Sequence, residues 1–90
     1  MEPTLQIDTL AALANETRLS VYRALKAAGP NGLAAGALAS ELSIAPNSLS
    51  NHLGILTRAG VVARRRHGRS IIYSANPDRV RALAKLLVDS

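Results

Sequence analysis

The sequence predicts one small, mainly α-helical domain with a single β-hairpin, in the order α-α-α-α-β-β-α, filling residues 1–90. Three observations predict it. The large apolar residues are Leu, Ile and Val, with no Phe or Trp and only 2 Tyr, which is the palette of packed helices. Leucines recur at helical spacing, as at Leu49, Leu53 and Leu56. The period then changes: "VVARRRHGRSIIY" (61–73) places two runs with apolar ends around a His-Gly pair, the outline of two strands and a turn. A chain of this length has room for one core, and such a small domain often gains stability by burying further surface in an oligomer.

Each element has its own signal. Leu5, Ile7, Leu10 and Leu13 mark a first helix led in by Pro3 and Thr4. Asn15 suits the N-cap of a second helix with Leu19, Tyr22, Ala24 and Leu25 on its apolar face, stopped by "GPNG" (29–32). The third helix reads "LAAGALASELSI" (33–44), with Leu38 and Leu42 one turn apart. Ser43 to Pro46 is a tight break, and Pro46 fits the first turn of the next helix, where its missing N–H costs nothing. That fourth helix reads "PNSLSNHLGILTRAG" (46–60), with Gly60 as its terminator. After the strands, Asn76-Pro77-Asp78 opens a last helix over 78–88. Two helices across a short break, followed at once by a hairpin, make a helix-turn-helix with a wing.

The net charge is +5, and its location matters more than its size. Between Leu42 and Pro77 there is no Asp or Glu, while Arg58, Arg64, Arg65, Arg66 and Arg69 all fall there. The 6 remaining basic residues are matched by 6 acidic ones, so the whole excess lies in that window. Charge confined in this way suits a polyanionic partner. The outward face of the fourth helix carries Asn47, Ser48, Ser50, Asn51 and Arg58, and His52, beside the leucine stripe, is expected either to pack at the helix–helix boundary or to reach a phosphate. Short polar side chains there can meet base edges, and Asn can bond adenine at two points. Ser and Asn near a helix start also serve as caps and exposed residues, so this face is not decisive by itself.

With His67-Gly68 taken as the turn, Arg66 pairs with Arg69, Arg64 with Ile71 and Val62 with Tyr73. Like charges directly opposite each other destabilise a hairpin, and phosphates would relieve the conflict. Arg64, Arg65, Arg66, His67 and Arg69 are therefore expected to approach the DNA backbone or minor groove. The competing reading, guards against edge-strand aggregation, would be met by one or two residues of Lys or Glu. Arg18 is expected either at a phosphate or in a structural ion pair.

The absence of cysteine excludes disulfides, thiolate metal sites and thiol redox chemistry within this sequence. Two histidines without a nearby carboxylate offer neither a metal site nor a catalytic pair. "GPNG" lacks the strand and Lys of a phosphate loop. No enzyme activity, metal or cofactor is expected. No segment has the length of a membrane span, and the acidic start "MEPTLQID" does not read as a signal peptide, so a cytoplasmic protein without a membrane partner is expected.

Over nearly its whole length the sequence resembles the ArsR/SmtB family of bacterial winged-helix repressors. "LAALANETRLSVYRAL" is similar to the family's opening run. "ALASELSIAPNSLSNHLGILTRAGVV" is similar to its helix-turn-helix, in which a Ser-x-x-His-Leu-x-x-Leu core is typical and is represented here by Ser50, Asn51, His52, Leu53 and Leu56. "RRRHGRSIIYSANPD" is similar to its wing. The resemblance implies a homodimer joined through the first and last helices, with Leu5, Leu10, Val80, Leu83 and Leu87 as interface candidates. It further implies a sequence-specific regulator, a repressor released by an unidentified signal, that reads an inverted repeat in double-stranded DNA. The competing function is a winged-helix interaction module without specific DNA binding, which the charged hairpin argues against. The apolar last helix supports dimerisation unless it only covers the domain's own core. Three departures stand out: Ala45 replaces a frequent Ser or Thr cap, Gly54 replaces a long side chain, and the cysteine and histidine sensor motifs are missing.

Overall fold

Local backbone chemistry sets where the helices stop and start. The computed structural model describes the backbone from residue 3 to residue 89 and the side chains from residue 6 to residue 89. The elements are α1 (Pro3–Leu13), α2 (Glu16–Ala28), β1 (Leu33–Ala34), α3 (Ala35–Leu42), α4 (Pro46–Arg58), β2 (Val62–His67), β3 (Ser70–Ala75) and α5 (Pro77–Asp89). Asn15 caps α2: its Oδ1 accepts the Arg18 N–H at 3.0 Å. At the end of α3, the Ser43 N–H donates to Ser40 O (3.4 Å) and the Ile44 N–H to Ala39 O (3.0 Å). This doubly bonded terminus places Ser43 in the left-handed region, at φ 54° and ψ 44°. Helix α4 ends in the same way, with Gly60 N–H to Thr57 O and Val61 N–H to Leu56 O, both 3.0 Å. It begins at Pro46 after an extended Ala45 that supplies no side-chain cap.

Packing follows the apolar stripes. Val21 and Leu25 of α2, Leu38 of α3, Leu49, Leu53 and Leu56 of α4, and Val61 meet in the centre, each fully buried. A side chain of this kind contributes about 1.5–3 kcal/mol when removed from water. Helix α1 closes over them: Thr9 is fully buried, and its hydroxyl donates to Ala59 O at 3.4 Å. Asn76 fastens the start of α5 to the end of α4, its Nδ2 donating to Gly60 O (2.9 Å) and its N–H to Val61 O (2.8 Å).

The fold class read from the sequence holds, mainly helical with a small antiparallel sheet, but two details differ. The third helix begins later than expected, because Leu33 and Ala34 form a short strand opposite Tyr73 and Ile72. The sheet therefore has three strands, in the order β1-β3-β2. Gly32 permits this. It has φ +68°, and a Cβ there would overlap the Tyr73 carbonyl oxygen. The hairpin also turns one residue later than expected. The loop is Gly68-Arg69, and the pairs are His67 with Ser70, Arg66 with Ile71, Arg65 with Ile72, Arg64 with Tyr73 and Val62 with Ala75. Gly68, at φ +64°, takes the first loop position of a type II′ turn, which favours glycine there. Arg66 consequently faces Ile71 and not Arg69, so the expected like-charge pair across the strands does not form.

Candidate nucleic-acid interface

Burial of Leu49, Leu53 and Leu56 turns the opposite side of α4 outward. Asn47, Ser48, Ser50 and Asn51 are all exposed on it. His52 is not with them. It is half-buried toward α2, with Nδ1 3.4 Å from Arg18 Nη1. Arginine only donates, so Nδ1 is the accepting atom in this contact. The same Arg18 donates from Nε to Ala12 O (2.7 Å) and from Nη2 to Ala11 O (3.4 Å). Arg18 thus closes the last carbonyls of α1 in place of the expected ion pair, and His52 takes the first of its two expected places, at the helix–helix boundary, propped by Arg18.

Strand alternation divides the wing arginines. Arg64 and Arg66 lie on one face of the hairpin, opposite Tyr73 and Ile71, while Arg65 and His67 lie on the other. Arg65 Nη2 donates to Asn31 O at 3.2 Å, which ties the wing to the loop before β1. Arg69 stands in the turn, and every residue from Ala63 to Ser70 is exposed. Among the described residues the one side-chain ion pair is Arg81 Nη1 to Asp78 Oδ1, 2.6 Å, within α5. Arg58, Arg64, Arg65, Arg66 and Arg69 therefore have no carboxylate partner among the described residues. Sequence reasoning placed Arg58 on the outward face of α4 but gave no role to Thr57; both line one hollow with Tyr73, Arg64, Ser50 and Gly54, between α4 and the root of the wing. For Arg58 the available signal was its place in the acid-free window.

A second surface has the opposite character. Leu10 is 49% exposed and Leu87 57%, and Ile7, Leu86 and Val88 are exposed beside them in α1 and α5. Leu83 corrects the expectation of an interface residue: it is 5% exposed within its own chain, so it has no area to offer a partner. Val80 is half-buried against the core. The side chain of Leu5, another interface candidate, lies outside the described residues. Among the described residues no three His, Cys, Asp or Glu side chains group as a metal site would need. No helix among them is long and apolar enough to cross a membrane.

A break between two helices, an outward polar helix and a basic hairpin define a winged helix-turn-helix. A family model described as a helix-turn-helix domain matches residues 13–65. The transcriptional activator HlyU of Vibrio cholerae is 36% identical over 78 residues, covering 87% of this chain and 69% of that protein. An ArsR-like transcriptional regulator from Rhodococcus sp. RHA1 superposes with a TM-score of 0.85 at 28% identity, covering 96% of this chain and 78% of that one. A homodimeric winged helix-turn-helix DNA-binding domain from Mycobacterium bovis, described as a possible ArsR-family regulator, superposes with a TM-score of 0.75 at 30% identity, covering 92% of this chain and 76% of that one. The chain belongs to the ArsR family of winged helix-turn-helix regulators. It is a DNA-binding transcriptional regulator and not an enzyme.

Proposed function

We propose that the protein acts as a cytoplasmic homodimer that binds an inverted-repeat operator in double-stranded DNA and represses transcription there until an unidentified signal releases it. The observation that carries this reading is the continuity of the exposed polar side of α4 with an arginine-rich wing that has no carboxylate among the described residues to neutralise it. Asn47, Ser48, Ser50 and Asn51 read or position the major groove. Arg64, Arg66 and Arg69 hold the backbone or the neighbouring minor groove, with Arg65 and His67 on the far side of the ribbon. The apolar surface of α1 and α5 supports dimerisation, as does the homodimeric state of the Mycobacterium bovis domain. A two-fold dimer presents two α4 helices to half-sites about one helical turn, or a multiple of it, apart.

One observation favours activation as a second reading: the Vibrio cholerae relative is named an activator. The test is a fluorescence-anisotropy titration against the DNA upstream of the protein's own gene, with scrambled DNA as control, at several salt concentrations. The expected result is a marked preference for the native sequence and an affinity that falls steeply with salt. Equal, salt-insensitive binding to both DNAs would end this reading in favour of a protein-interaction module. A promoter-reporter strain then separates repression from activation by the direction in which expression moves when the gene is deleted.

A further inference from the structure

We propose that the hollow between α4 and β2 seats one phosphate of the DNA backbone, held by Arg58, Arg64 and Thr57. This rests on the DNA-binding reading above and adds Arg58 and Thr57, which that reading does not use. The argument begins with the duplex. A helix in a major groove and a ribbon in the adjacent minor groove are separated by one sugar-phosphate strand. The surface between α4 and the wing is therefore where that strand passes. The hollow there measures about 250 Å³ and is lined by Ser50, Gly54, Thr57, Arg58, Arg64 and Tyr73. A water occupies about 30 Å³ of liquid, so a phosphate group fits.

The lining is chemically one-sided. It holds two guanidinium groups, three hydroxyls and no acid. Asp8 faces Arg58 across a separate cleft toward α1, beyond ion-pair distance. Two cations that share a hollow repel each other unless an anion lies between them. Gly54 makes room for this arrangement: a Cβ at that position would come 3.2 Å from Arg58 Nη1 and 3.9 Å from its Cζ, so the guanidinium lies back along α4 over the bare glycine. Thr57 adds an independent observation. It lines the hollow, and its Oγ1, covered in the free protein, has no hydrogen-bond partner among the described residues. A buried hydroxyl without a partner is costly, and a turn about χ1 toward an anion in the hollow gives it one. Arginine forks match phosphate oxygens, and the threonine hydroxyl donates to a further oxygen. None of these contacts reads a base, so the seat sets register and affinity and leaves sequence preference to the N-terminal half of α4.

The experiment measures affinity and salt dependence for wild type, Arg58→Ala, Thr57→Val and Arg66→Ala on operator and scrambled DNA. Arg58→Ala is expected to weaken both complexes about equally, by roughly tenfold, and to lower the slope of log K against log salt by about 1. Thr57→Val is expected to weaken both by a few-fold with the slope unchanged and the thermal midpoint not lowered, since it removes a hydroxyl that has no partner in the free protein. If wild type binds and Arg66→Ala weakens it, while Arg58→Ala and Thr57→Val match wild type, the seat is overturned and the DNA-binding reading stands. If wild type binds no DNA, both fall. A third arm titrates inorganic phosphate into the free protein and follows backbone amide NMR signals. Saturable shifts at Thr57 and Arg58, together with DNA affinities unaffected by the variants, would assign the seat to a free phosphorylated ligand and overturn the DNA assignment.

Discussion

The face made by α4 and the wing and the face made by α1 and α5 are incomplete in opposite ways. The first exposes Arg64, Arg65, Arg66 and Arg69 with no acidic residue between Leu42 and Pro77. The second exposes Ile7, Leu10, Leu86, Leu87 and Val88. One has charge without counter-charge, the other apolar area without cover, and in each case what is missing describes the partner. A polyanion satisfies the first and a second copy of the same surface satisfies the second. The two faces are also joined. Thr9 fastens α1 to the end of α4, and Arg18 links the last carbonyls of α1 to His52 in α4.

The contrast can be broken from either side. The largest effect is expected from Leu10→Lys combined with Leu87→Lys. Both leucines are about half exposed in one chain, and each counts twice in a two-fold interface, so the pair contributes about 3–6 kcal/mol to association. Sedimentation equilibrium should show the dimer dissociation constant rising a hundredfold or more, with the helical signal of the monomer retained. An unchanged mass distribution would move the dimer contact away from α1 and α5. Next comes Arg66→Ala with Arg69→Ala. It should weaken binding to any DNA, lower the salt slope by about 2 and leave the thermal midpoint level or higher, because exposed like charges are removed from the wing. A fall in stability with DNA affinity intact would show that these arginines serve the hairpin. The smallest effect sharpens the comparison by touching neither face. Ser43, in the left-handed conformation at the turn between α3 and α4, should become glycine at a gain of about 1 kcal/mol in a denaturant titration, with DNA affinity and dimerisation unchanged.

The sequence was most legible where a pattern repeats inside one element. The leucine stripe of α4 identified the helix and, by difference, its outward Asn and Ser residues. Asn15, Pro46 and Gly60 marked ends because capping chemistry is local. The strand β1 was illegible: two residues are too few to show a period of two, and its existence depends on how closely Gly32 approaches Tyr73. The hairpin register was misread because His67-Gly68 and Gly68-Arg69 are both two-residue loops on paper. What separates them is where the positive φ falls in the turn, at Gly68 as the first loop residue. Leu83 and Leu87 sit one turn apart on one stripe, and the sequence treats them alike. Only Leu83 reaches the core, whereas every described residue from Ala84 onward is exposed.

By itself the sequence determined the order of the helices and of the hairpin, the polar face of α4 and the confinement of unbalanced positive charge to one third of the chain. These follow from periodicity, capping and composition, which act between near neighbours. Tertiary structure alone decided that His52 turns inward onto Arg18, that Arg64 looks back at α4 while Arg65 reaches Asn31, and that Arg58, Thr57 and Arg64 meet around one hollow. Those placements join residues from different elements, and only the packing of those elements brings them together.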